Sequence, residues 1–121
     1  MIRGGTALES TELAHTIVDV AVDKKAEDVV LLDIRGLTPI ADYFVICSGS
    51  TERQIAALIE TLELTLKALE RAPLHVEGEP RSGWVLMDYG DVIVHVFGPR
   101  ERAYYQLERL WEDARLVVRI Q

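Results

Sequence analysis

The sequence predicts a mixed α/β fold, with a β-sheet of about five strands flanked by helices. Three observations carry this. Two long segments repeat apolar residues at helical spacing. Two short, continuous β-branched and aromatic runs suit strands buried on both faces. A third group of short strands is punctuated by glycine and proline. Helices that are apolar on one side must pack on something, and apolar strands beside them supply the sheet.

The first helix is expected over residues 7–24, where Leu13, Ile17, Val20 and Ala21 recur on one face. Thr6 and Glu9 have capping-box spacing. Val29-Val30-Leu31-Leu32 reads as a buried strand ended by Gly36 and Pro39, and residues 42–47 as a second. Thr51 and Gln54 form another capping-box signature. They open a long helix with Ile55, Leu58, Ile59, Leu62, Leu66 and Leu69 in one stripe, and Pro73 stops it. Leu74-His75-Val76-Glu77 and Trp84-Val85-Leu86-Met87 are short strands. The second continues through the tight Tyr89-Gly90 connection into Val92–Phe97, making a hairpin. Gly98-Pro99 turns the chain into a last helix with Ala103, Tyr104, Leu107, Leu110 and Trp111 on one side. The expected ordered core covers about 7–113, with 1–6 and 114–121 as flexible ends, although Val117-Val118 also suits a short strand.

The 121 residues suit one domain, and with 49% hydrophobic residues they can fill a core without disulfides. The lone Cys47 allows no internal bridge and lies in a buried-looking strand as a small apolar residue. No apolar run has the length of a membrane span or a signal peptide, so a cytoplasmic protein with no membrane partner is expected. A net charge of −7 argues against free nucleic acid as the partner and suits a basic protein.

Ordered blocks of residues then resemble a known family. They include Asp33-Ile34-Arg35-Gly36-Leu37-Thr38 and Ala41-Asp42-Tyr43-Phe44-Val45-Ile46-Cys47-Ser48-Gly49. Further along come Val76-Glu77-Gly78-Glu79, then Gly83-Trp84-Val85-Leu86-Met87-Asp88-Tyr89-Gly90-Asp91 running into Val92–Phe97. Tyr105, Leu107, Glu108, Leu110 and Trp111 complete the match, which extends from about Asp23 to Trp111. The chain resembles ribosomal silencing factors of the Iojap type. The resemblance implies a nucleotidyltransferase-like fold, no enzymatic activity and no cofactor. It also implies a partner: the fourteenth protein of the large ribosomal subunit, at the face where the small subunit joins. Occupying that face would lower translation under nutrient limitation.

Within the family block, Trp84, Asp88, Tyr89 and Asp91 are the candidate contact residues. Trp84 suits an interface anchor as well as a core aromatic, and strand alternation sets Trp84, Leu86 and Asp88 opposite Val85 and Met87. Tyr89, at the turn tip, is expected to be exposed. Asp88 and Asp91 suit either charge complementarity or local turn bonding. His95 reads as a hydrogen-bonded structural residue. Glu77 and Glu79 read as solvated turn residues. No Asp, Glu or His spacing suits a metal site.

Two rival readings stand. Gly49-Ser50, between a strand and a helix, echoes a phosphate-facing loop. A transferase also needs carboxylates alternating in a neighbouring strand to hold Mg²⁺, and the candidate strands carry none. An adaptor for some other basic protein fits the patterning equally well. An aromatic hairpin also leaves homodimerisation open.

Overall fold

The structure is a computed structural model that describes residues 9–121. Six strands form one mixed sheet in the order β3-β4-β5-β2-β1-β6. They are β1 (Glu27–Asp33), β2 (Tyr43–Ser48), β3 (His75–Glu77), β4 (Trp84–Asp88), β5 (Val92–Phe97) and β6 (Arg115–Ile120). Only β2 and β5 run parallel; every other neighbouring pair is antiparallel. The helices are α1 (Ser10–Asp23), α2 (Glu52–Ala68), α3 (Pro99–Tyr105) and α4 (Leu107–Leu110).

The central strands β1, β2 and β5 are the continuous apolar runs, and both of their faces are buried. One face packs under α1 and α2. There Leu13, Ile17, Ala21, Ile55, Leu58, Leu62 and Leu66 meet Val29, Leu31, Val45, Cys47, Val85, Met87, Val94 and Val96. The other face carries Val30, Leu32, Ile34, Phe44, Ile46, Ile93 and Phe97, and the short α3–α4 segment lies over it through Leu107 and Trp111.

Thr51 caps α2, its hydroxyl accepting from the Gln54 N–H at 3.0 Å. The return half of the box is displaced by one residue: Gln54 Oε1 accepts from the Ser50 N–H at 2.7 Å and the Ser50 hydroxyl at 2.8 Å. The glutamine nitrogen then reaches the Lys25 carbonyl, tying the start of α2 to the end of α1. At α1 the Thr6 half of the predicted box, like the expected flexible end at 1–6, lies outside the described residues. Glu9 occupies the N-cap position without a side-chain capping bond.

Two expectations need correction. The last helix is not continuous: Gln106 adopts a left-handed conformation (φ 46°), breaking it into α3 and α4. The break lets Leu107 and Trp111 turn down onto the sheet while Tyr104 stays in solvent. The C-terminal segment is a strand, not a flexible tail. β6 pairs with β1 and is pinned by Arg115 on Asp33 (3.1 Å) and by Arg119 on both oxygens of Asp28 (3.1 Å each). Asp33 is buried, and the Arg35 guanidinium, helped by Arg115, holds its carboxyl well below the usual carboxylate range.

Candidate functional site

The four residues picked from the sequence do not form one cluster. Trp84 opens β4 opposite Phe97, whereas Asp88 closes β4 opposite Ile93 at the hairpin turn. Four residues at ~3.4 Å each put the two ends of β4 roughly 14 Å apart.

At the turn, Gly90 takes a φ of 94° that favours glycine. Asp88 Oδ1 accepts from the Gly90 N–H at 2.7 Å, which is the local turn bonding aspartate is suited to. Asp91 is engaged by Arg71 from the chain just beyond α2, and the same guanidinium donates to the Tyr89 carbonyl at 3.1 Å. The Asp91 carbonyl accepts from the Asp42 and Tyr43 N–H groups at 2.7 and 3.2 Å. The turn is therefore fastened to α2 and to the start of β2.

Tyr89 is the second correction to the candidate set. It is only 4% exposed, packed in the core beneath α1 and α2, and its hydroxyl has no hydrogen-bond partner among the described residues. The burial alternation of β4 carries one residue past its end, so Tyr89 shares the interior face with Val85 and Met87. Burial raises its hydroxyl pKa, the Glu63 charge adds to this and Arg71 opposes it.

Trp84 lies on the other face, half-buried, among aromatic rings. Its ring centroid is 4.9 Å from Phe97 and 4.5 Å from Tyr105. Its indole Nε1–H donates to His95 Nδ1 at 3.2 Å. That bond fixes the neutral imidazole with its proton on Nε2, which is buried without a partner among the described residues. His95 sits edge-on to Phe44 at 4.9 Å, and Phe44 in turn is edge-on to Trp111 at 5.0 Å. Burial alone pushes the His95 pKa down to about 4. Cys47, fully enclosed, has its thiol pushed up to about 12 by burial, consistent with a small apolar residue.

The register shows what else shares this face. Directly opposed residues in antiparallel strands point the same way, so Glu77 joins Leu86 and His95, and His75 joins Asp88 and Ile93. On β4 this face meets Tyr105 of α3 at Trp84, and Trp84, Leu86 and Asp88 are half-buried rather than enclosed. A shallow cavity of about 340 Å³ opens there, lined by Glu77, Gly78, Ser82, Trp84, Leu86 and Tyr105. Gly78 (φ 88°) is required at its edge, because a Cβ there would lie 2.1 Å from the Trp84 carbonyl oxygen. Alternation placed Leu86 beside Trp84 in the sequence, whereas Tyr105 comes to the site from α3, a contact no local pattern announces. The Ser50 donors of the phosphate-like loop are both committed to Gln54, within the cap of α2.

Residues 7–121 match the family model described as ribosomal silencing factor during starvation. The chain belongs to the ribosomal silencing factor family. It is 44% identical over 107 residues to a ribosomal silencing factor of Halalkalibacterium halodurans, covering 88% of this chain and 92% of that one. A chloroplastic Iojap protein of Zea mays is 30% identical over 88% of this chain and 46% of its own length. Among solved structures, a crystal structure of a Chromobacterium violaceum protein superposes with a TM-score of 0.83 at 33% identity, covering 87% of this chain and 88% of that one. The architecture is thus that of a silencing factor, with its half-covered second sheet face.

Proposed function

We propose that this chain binds the large ribosomal subunit through its fourteenth protein and keeps the small subunit away by bulk alone, lowering translation when nutrients are short. Membership of a family described as silencing ribosomes during starvation supports the direction of the effect. The observation that carries the contact is the partly covered sheet face over β3 and β4, where half-buried Trp84 and Leu86 and exposed Tyr105 lie beside Glu77 and Asp88. Aromatic anchors with an acidic rim suit a basic protein packed against RNA. Trp84 and Asp88 stay in the proposed contact set. Tyr89 and Asp91 support it indirectly, by fixing the hairpin that carries β4. Obstruction needs affinity and position but no bond-making step, so the mechanism asks for neither a metal nor a cofactor.

The test mixes purified subunits under conditions where they join and follows whole ribosomes by sucrose-gradient sedimentation. Added protein is expected to leave subunits separate and to travel with the large one. Unimpeded joining with the protein bound to neither subunit would end this reading.

A further inference from the structure

The cavity beside Trp84 has a composition more specific than a generic apolar patch. Trp84 and Tyr105 form its aromatic wall, with rings tilted by 48°. Leu86 lies on its floor. The Glu77 carboxylate stands at its mouth, 64% exposed, with one oxygen held by His75 Nε2 at 2.5 Å. Nearby Glu79 is paired with Arg81 at 3.6 Å, whereas Glu77 has no Lys or Arg partner among the described residues. Gly78 keeps the rim open, and the Ser82 hydroxyl is held by the Glu79 and Trp84 carbonyls at 2.7 and 3.2 Å.

We propose that this cavity is a receptor for one arginine side chain presented by the basic protein partner, stacked on Trp84 and Tyr105 and paired with Glu77. The proposal deepens the function given above and rests on it. Charge complementarity selects a cation: the chain carries −7 overall, and the carboxylate at the cavity mouth has no guanidinium or ammonium partner among the described residues. Geometry selects arginine over lysine. A flat guanidinium can lie on aromatic faces and offer parallel N–H donors to a carboxylate at once, whereas an ammonium is a compact, strongly hydrated point charge.

The experiment has two arms. In the first, the Trp84 indole N–H signal is followed by NMR while Nα-acetyl-arginine amide or Nα-acetyl-lysine amide is added to the full chain. The arginine probe is expected to shift it and the lysine probe to shift it less. Glu77→Gln and Tyr105→Leu are expected to abolish the difference, with circular dichroism showing that both variants fold. In the second, sedimentation with purified large subunits is expected to show binding about tenfold weaker for each variant, and Glu77→Asp is expected to recover part of the loss. Equal shifts with both probes, together with undiminished subunit binding by the variants, would overturn the arginine site and leave the function standing. An arginine-specific shift in a protein that binds no subunit would support the site and remove the function. Shifts that follow protein concentration and ignore the probe would mean a second copy fills the cavity, and the proposal would fall.

Discussion

Tyr89 carries a hydroxyl into the core without a partner among the described residues, and a buried polar group left unbonded is a standing cost. Tyr89→Phe removes that oxygen and keeps the ring. It is expected to leave the protein equally stable or up to about 1 kcal/mol more stable, measured as a higher urea midpoint at unchanged slope. A clear loss would mean that the hydroxyl makes a bond in solution. His95 has the opposite character, because it matters through a proton it does not hold. Its folded pKa of about 4 lies below the ordinary 6.5, so the neutral form is the one the fold accepts. The stabilisation is complete above about pH 6.5 and is lost as the pH falls toward 4, since there the unfolded chain binds a proton that the native chain refuses. The full gap corresponds to about 3 kcal/mol. Denaturant titrations across that pH range should show the decline. His95→Asn, which keeps an acceptor for the Trp84 N–H and does not titrate, should flatten it.

Among the elements, the α3–α4 segment has one polar tie that joins it to the sheet at several points, Arg102. Arg102 is 11% exposed and bonds Glu108 Oε2 at 2.9 and 2.6 Å, the Ser48 hydroxyl at 2.8 Å and the Asp28 carbonyl at 2.9 Å. It thereby joins α3, α4 and the ends of β1 and β2 at the bulge where Asp28 takes a φ of 46°. Arg102→Met keeps much of the aliphatic stem but strands the Glu108 carboxylate and the Asp28 carbonyl. A loss of about 2–3 kcal/mol is expected, with amide exchange in residues 99–111 accelerating more than in β2 or β5. Uniform acceleration would show that α3–α4 is not a separable unit. This segment also marks where the sequence stopped being legible. Strands β1, β2 and β5 and helix α2 announce themselves through continuous apolar runs or a 3.6-residue stripe, because each buries its pattern against one surface. The α3–α4 segment buries Leu107 and Trp111 against the sheet while Tyr104 faces water, and a left-handed glutamine reconciles the two. Nothing in Tyr105-Gln106-Leu107 signals that bend. β6 is hard to read for a related reason: an edge strand with arginines at Arg115 and Arg119 looks like a tail until Asp33 and Asp28 supply their partners. At the candidate site, alternation correctly set Trp84 and Leu86 on one face. Extended one residue past Asp88, it also sets Tyr89 with Val85 and Met87, but the Tyr89-Gly90 pair reads as a turn tip, where burial is hard to arrange.

For the whole molecule, the question is what an excess of seven negative charges does. Solubility alone would need no particular arrangement of carboxylates. Steering toward a basic partner needs them on the face that docks, and Glu77 and Asp88 share the partly covered face with Trp84 and Leu86. Long-range attraction between exposed charges is screened within about 8 Å at physiological ionic strength, so steering appears in the association rate and weakens with salt. Contacts made after docking act mainly on the dissociation rate and respond less to salt. The association rate with purified large subunits, measured by stopped-flow fluorescence, is therefore expected to fall by about tenfold between low and high salt while dissociation changes far less. Glu77→Lys, which reverses one charge on that face and spares the aspartate bond of the hairpin turn, should lower the low-salt rate and flatten its salt dependence. An association rate indifferent to salt would assign the acidic excess to solubility and leave the aromatic face as the sole source of recognition.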